Sequence, residues 1–352
     1  MHTIPHSLWS PGFIGSVCLK NRIIRSAVND AQADPHGGCT PTQMSLCRDL
    51  AAGGVGAIIS GHIYVHRSGM AGNRQLGLDR DSLIPGLAKM VQVVHEANGI
   101  IFAQLSHAGS QSDIYLTGQP PAGPSARISP EGPMSCAMSL DDVTTVIEAF
   151  AQAAVRAKTA GFDGIQIHAA HGYCLSEFLS PAFNKRLDAY GGSVENRARL
   201  LLEVCRAVRA AVGPNYPVIV KLNSEDFREN GMTRAMMRQS VKLLVRENLI
   251  DAVEISGLWG KSRAHMTTVD ASNPGTEAYA YIAAVEFKKE LDIPLILVGG
   301  IRSLNAAHSL IERREVDFVA MARPLIRDPG LIARWWQQDV ARMGVTPCPG
   351  ME

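Results

Sequence analysis

Apolar positions along this chain come in two alternating patterns. Short, nearly unbroken apolar runs at residues 23–26, 56–60, 100–105, 164–167, 218–222, 252–255, 295–298 and 318–321 read as strands buried on both faces. Between them lie longer segments with apolar residues at helical spacing, among them 42–52, 81–98, 139–160, 194–212, 233–248, 277–290 and 304–312. Several bring their own boundaries: Ser139 with Asp142 forms a capping box, and Gly161 and Gly213 stand just past helix ends. Alternation of this kind builds βαβ units and a parallel sheet. Eight repeats close as a (β/α)8 TIM barrel of the α/β class, where a doubly wound open sheet normally needs fewer strands.

Two stretches depart from the repeat. Residues 107–138, rich in Gly, Pro and Ser, follow the third strand and far exceed the usual βα loop of about 2 to 6 residues. This insertion is expected to lid the site; the alternative is a disordered surface loop. Residues 1–20 precede the first strand and are expected to cap the bottom of the barrel. No linker marks a second domain, so residues 1–352 read as one barrel domain.

Composition narrows the function. Hydrophobic residues at 46%, charged residues at 19% and a net charge of +1 describe a globular protein with no basic surface for a nucleic-acid backbone. The longest stretch without Lys, Arg, Asp or Glu, residues 50–66, is interrupted by glycines and histidines and falls short of the roughly 20 apolar residues a bilayer requires. The N-terminal MHTIPHSLW has no signal-peptide character, so no membrane association and a cytoplasmic location are expected. Seven cysteines without a CxxC pair point to reduced thiols, and Cys18, Cys39, Cys47, Cys136, Cys205 and Cys348 read as ordinary ones.

Candidate chemistry gathers at the C-terminal ends of the predicted strands, the face where barrel enzymes hold their reactants. The run 164–167 ends at His168, and His171 and Tyr173 follow in a Gly-containing turn. Ser26, Ala27 and Asn29 follow the first strand, Gln104 and His107 belong to the third, and Lys221 to the fifth. Gly299 and Gly300 follow the seventh, and Ala322 and Arg323 the eighth. His62 and His107, taken singly, read equally as structural donors. The glycine pair and Arg323 suit a phosphate, since glycine lets backbone N–H groups approach an anion and barrels hold phosphate after their last two strands. The alternative for the pair is a tight turn. No GxGxxG follows a strand, so a Rossmann-type dinucleotide site is not indicated.

The run HAAHGY followed by LSEFLSPAFNKRLDAYGGSVENR resembles the Old Yellow Enzyme family, the NADH:flavin oxidoreductases or ene-reductases. Further resemblance lies in LKNRIIRSA (19–27), FAQLSHAG (102–109), LVGGIRS (297–303) and MARPLIRDP (321–329). It implies a single FMN-binding barrel that uses NAD(P)H to reduce the C=C bond of an enone or related activated alkene in a ping-pong cycle. On the same resemblance, the backbone near Ala27, with Ser26 and Asn29, and the side chains of Gln104 and Lys221 contact the flavin ring. Gly299, Gly300, Ala322 and Arg323 lie near its phosphate. His168 and His171 donate hydrogen bonds to the substrate oxygen while hydride leaves flavin N5, and Tyr173 supplies the proton. Lys221 has the alternative of an ion pair with Glu225 or Asp226, and the two histidines that of capping loop carbonyls.

The remaining signature residues, Asn184, Arg186, Asp188, Gly191, Gly192, Glu195 and Arg197, read as an interlock holding the loop. Many relatives place Cys or Thr where this chain has Asn29. The iron–sulfur cluster and second nucleotide domain of larger relatives are not expected, since only Cys348 lies near the end. Cys174 reads as packing. No metal is expected, and a homo-oligomer is left open. Rival readings are a metal-dependent lyase or hydrolase ligating through His168, His171 and Glu177, and a barrel turned to binding or regulation.

Overall fold

The computed structural model describes residues 7–129, 132–257 and 277–343. In chain order its strands are β1 (Gly12–Ile14), β2 (Val17–Leu19), β3 (Ile23–Arg25), β4 (Ala57–Tyr64), β5 (Ile101–Ser106), β6 (Ala122–Gly123), β7 (Arg127–Ser129), β8 (Gly132–Ala137), β9 (Gly164–Ala169), β10 (Val218–Asn223), β11 (Ala252–Ser256), β12 (Leu295–Val298) and β13 (Phe318–Met321). Eight of them close a barrel in the order β10-β11-β12-β13-β3-β4-β5-β9, every neighbouring pair parallel. These are the eight runs predicted. Each is buried along its length because one face packs inside the barrel and the other beneath the helices, which is why the runs look continuously apolar.

Alternation within that apolar surface layers the interior. Residues such as Ile165, Ile167, Val218, Val220, Val253 and Ile255 join the large core between barrel and helices. The other face begins at the barrel bottom with Phe102, Ile219, Ala252, Ile296 and Phe318, packed against Ile14 and Leu19 of the β1–β2 hairpin. The β1–β2 hairpin thus caps the barrel bottom, as expected of residues 1–20, of which residues 1–6 lie outside the described residues. Further along β5, β9, β10 and β11 the same face carries Gln104, Gln166, Lys221 and Glu254, and two residues on Ser106, His168, Asn223 and Ser256, whereas β12 and β13 stay apolar at Val298 and Ala320. An apolar plug therefore underlies two polar layers that open at the C-terminal mouth.

The helix Leu140–Thr159 starts at the predicted capping box, with Ser139 Oγ accepting from Asp142 N at 3.1 Å and Asp142 accepting from Ser139 N at 2.8 Å. Gly161 and Gly213 adopt φ +90° and +86°, beyond what a side chain adopts readily. The segment predicted as 81–98 divides into a 3-10 turn, Asp81–Leu83, and a helix, Ile84–Glu96, with Pro85 in its first turn. The segment predicted as 277–290 is helical over Tyr281–Lys288. Cys348 and the C-terminal run 344–352 lie outside the described residues. The six described cysteines are free thiols. No described helix is long and apolar enough to cross a membrane.

The described part of the insertion is structured: β6, β8 and β7 form a small sheet. Arg186 ties it to the barrel by donating to Pro124 O and Met138 O (3.2 and 2.6 Å), while its other edge pairs with Asp188. Asn184 donates to Phe178 O and Tyr190 O, both at 2.7 Å, and Arg197 to Leu179 O and Gly192 O. These signature residues interlock as expected.

Candidate active site

Lys221 sits at the centre of the lower polar layer, 2% exposed, with its Nζ 3.1 Å from Glu254 Oε1 and 2.9 Å from Ser26 Oγ. Register sets this up, because Lys221 on β10 stands beside Glu254 on β11. Ser26 donates to Glu254 Oε1, and Gln166 donates to Oε2 while accepting from Gln104 at 2.6 Å. Ser26, Lys221, Glu254, Gln166 and Gln104 thus form one buried chain of hydrogen bonds, the condition under which a buried charge is tolerated. The alternative ion pair of Lys221 with Glu225 or Asp226 does not form, because both carboxylates are engaged elsewhere. Glu225 pairs with Arg234 at 2.9 Å, and Asp226 accepts from Ser180 and, at 2.6 Å, from Met232 N. Glu254 and Gln166 were missed; the signal was one polar residue at alternate positions of two apolar strands.

Above this layer four rings cluster. The His168 ring centroid lies 5.1 Å from that of His171 and 5.0 Å from that of Tyr173, and the His62 centroid lies 5.6 Å from Tyr173 and 6.5 Å from His168. His168 Nδ1 accepts the Ala170 N–H at 3.2 Å, so in the neutral ring the proton is on Nε2. His171 adopts φ +60°, its N–H donates to Asn223 Oδ1 at 3.1 Å, and its Nε2 is 2.8 Å from Ser256 Oγ. Burial keeps both imidazoles neutral: His171 is pushed down to about 3 and His168 well below the ordinary histidine value, with Lys221 adding to both shifts. Burial pushes the Tyr173 phenol up to about 12, which keeps its proton in place at neutral pH. His107 takes no part. Its Nδ1 accepts from Gly109 N and its Nε2 meets Ser68 Oγ, each at 3.1 Å.

At the ends of β12 and β13, Gly299 and Gly300 adopt φ +126° and +77°. A side chain on Gly299 would collide with the Tyr279 ring at 2.3 Å, so packing as well as turn geometry requires glycine there. Tyr279 also covers Gly257; burial raises its phenol, and the nearby Arg323 cation offsets part of that shift. Ala322 precedes Arg323, which is exposed and opens the short helix Arg323–Arg327. Ser26 N donates to Met321 O at 2.9 Å, joining this corner to the Lys221 layer. Ala27 is half-buried. Asn29 is exposed and its Oδ1 accepts from Ala31 N, so the structure leaves Asn29 apart from the buried cluster.

Glu177, the third ligand of the metal reading, accepts from both the N–H and the hydroxyl of Ser110 and is committed to the insertion. Cys174 is fully buried, and burial raises its thiol, with Glu177 adding to the shift, so it has no thiolate character. Four buried polar atoms on β4, β5 and β10 or just beyond, namely His62 Nε2, Ser106 Oγ, Asn223 Nδ2 and Ser224 Oγ, have no hydrogen-bond partner. Unpaired polar atoms gathered at a barrel mouth are what a bound polar ligand satisfies. With Lys221 and Gln104 on one side and the glycine pair and Arg323 on another, they fit a planar polar ring with an anionic tail.

Fold and site together describe a parallel α/β barrel whose polar mouth suits a nucleotide. Residues 7–340 match the NADH:flavin oxidoreductase / NADH oxidase family, and the chain belongs to it. The cofactors are FMN and, as reductant, NAD(P)H. The chain is 37% identical over 328 residues to a metal reductase of Desulforamulus reducens, covering 92% of this chain and 48% of that protein. It matches a 2-naphthoyl-CoA reductase structure with a TM-score of 0.88 and 28% identity, covering 95% of this chain and 52% of that one. An Old Yellow Enzyme homologue of Zymomonas mobilis matches at TM-score 0.79 and 25% identity over 98% of both chains. The chain spans about half the length of the first curated relatives it matches, 48% and 50%.

Proposed function

We propose that the chain is an ene-reductase, a single FMN-binding barrel domain that reduces the C=C bond of α,β-unsaturated carbonyl compounds with electrons from NAD(P)H. One observation carries the reading: a neutral imidazole with its Nε2–H free of backbone partners, His168, stands beside a phenol held in its protonated form, Tyr173. Such a pair can support an oxygen that gains negative charge and deliver a proton to the carbon two atoms away.

FMN, when bound, supplies the hydride. Gln104 and Lys221, with Ser26 and the backbone at Ala27, would hold the ring, while Gly299, Gly300, Ala322 and Arg323 would hold the phosphate. Lys221 is a cation fixed in advance by Glu254, and it favours negative charge on the ring edge without reorganisation. His168 donates to the substrate oxygen from Nε2. His171 joins it from Nδ1 in the tautomer whose Nε2 accepts from Ser256. Tyr173 then protonates the α-carbon. The likeness to the Old Yellow Enzyme homologue supports this reading. The test is the visible spectrum of the purified protein, followed by product analysis after incubation with NAD(P)H and cyclohexenone. A flavin spectrum and cyclohexanone are expected; a flavin-loaded protein that oxidises NAD(P)H without consuming the alkene would refute the reaction.

A further inference from the structure

His62 is the one ring of the cluster outside the HAAHGY turn. It lies on β4, where the register with β5 shifts between Ile59 and His62, an irregularity that re-aims side chains beside active sites. The residue is 6% exposed. Its partner is Gln75, and the orientation of that amide is fixed: Gln75 Oε1 accepts the Ala71 N–H at 2.8 Å, which leaves the NH2 group facing His62. Gln75 Nε2 lies 3.0 Å from His62 Nδ1 and 3.2 Å from His62 O. An amide nitrogen only donates, so Nδ1 accepts, and a neutral imidazole then carries its proton on Nε2. Burial holds the ring down to about 4, so it is neutral at physiological pH. Nε2 has no partner, although it is buried next to Tyr173 and His168.

We infer that His62 donates its Nε2–H to the substrate oxygen as a further catalytic residue, with Gln75 as the positioning residue that sets its tautomer. The inference rests on the ene-reductase reading, because it shares that pocket. Reach permits it. An N–H···O bond of about 2.9 Å puts an oxygen roughly 4 Å from a ring centroid, so one oxygen fits between His62 and His168, whose centroids are 6.5 Å apart. The substrate class favoured is one whose oxygen carries a full negative charge in the enolate-like state, where each additional donor counts most.

The experiment titrates FMN-loaded protein with a para-substituted phenol, whose phenolate mimics that oxygen, and follows the long-wavelength charge-transfer band in the parent, His62→Phe and Gln75→Leu. Phenylalanine keeps a flat ring against Tyr173 and removes the N–H. With flavin retained, His62→Phe is expected to weaken phenolate binding roughly 10- to 100-fold, the range for a hydrogen bond to a charged group. It should also raise the pH at which the band appears by about one unit per tenfold. Gln75→Leu frees the tautomer and should weaken binding a few-fold. That second variant decides the matter if His62→Phe fails to hold flavin. Parent-like affinity and titration in a flavin-retaining His62→Phe, or unchanged affinity in Gln75→Leu, overturns the assignment alone. A flavin-loaded parent with no phenol band overturns the pocket reading and this inference with it.

Discussion

Substituting Glu254 by Gln tests the buried ion pair with one change of charge and almost none of shape. Glutamine can still accept from Ser26 through its amide oxygen, but its NH2 then faces the NH2 that Gln166 donates, and Lys221, 2% exposed, keeps only neutral oxygens beside its ammonium. Removing one partner of a buried pair costs about 3 to 5 kcal/mol, because the other charge is left uncompensated. An independent bound agrees: a stranded lysine can shed its proton, and deprotonating an ordinary lysine at pH 7 costs roughly 4.6 kcal/mol. Lys221→Met should cost a similar amount by stranding Glu254. The double variant leaves no buried charge, and its loss should stay below about 2 kcal/mol, so the two single losses should couple by roughly 4 kcal/mol or more, beyond the about 0.5 to 3 kcal/mol usual between contacting residues. Urea unfolding of flavin-stripped protein at pH 7, compared through the midpoint at constant slope, reads all three. If the double variant loses the sum of the single losses, the two charges do not meet in the folded protein and the network is wrong.

Arg323→Ala should weaken FMN retention roughly 10- to 100-fold, one charge-assisted contact, with little effect on unfolding of the stripped protein; flavin content after dialysis measures it. Tyr173→Phe should slow reoxidation of reduced enzyme by cyclohexenone about 100-fold or more and slow reaction with a nitroalkene less, because a nitronate can be protonated by water; stopped-flow rates that fall equally for both alkenes would count against the proton role. Glu177 is held up at about 7, chiefly by burial, so its contribution to stability is present below the ordinary carboxylate range and is lost as pH rises through 7. Glu177→Gln should therefore remove a decline of up to about 1.4 kcal/mol per pH unit between pH 4.5 and 7. Histidines 62, 107 and 171 are pushed down to about 4, 3 and 3, so their contribution is lost as pH falls below 6.5, and His62→Phe should make that acid-side slope shallower by one proton.

The barrel was legible because each strand is buried on both faces, which leaves an unbroken apolar run in the sequence. Terminal residues such as His168 stood out as the point where such a run stops. The same burial concealed Gln166 and Glu254. In GIQIHA and AVEIS one polar residue hides among aliphatic ones, and its meaning depends on which face turns inward. His62 was obscured further, since the irregularity at Ile59 to His62 breaks the alternation that would have placed it. The small sheet in the insertion had no local signature. Its strands span two to six residues, and distant residues secure the insertion, among them Arg186 and Glu177.

That long-range tethering bears on the chemistry itself. His171 occupies the left-handed region, φ +60°, which costs a non-glycine residue on the order of 1 kcal/mol. Three elements hold it there. Asn223 on β10 accepts its N–H, Ser256 on β11 meets its ring, and Gln111 in the insertion donates to the carbonyls of His171 and Gly172. The first two belong to the upper polar layer of the barrel. The third lies 60 residues away in sequence, in a segment that also engages Glu177 through Ser110. The turn after β9 that carries His171 is therefore shaped jointly by the barrel beneath it and the insertion beside it, and altering the insertion's grip on Glu177 or Gly172 should be felt first at the imidazole of His171.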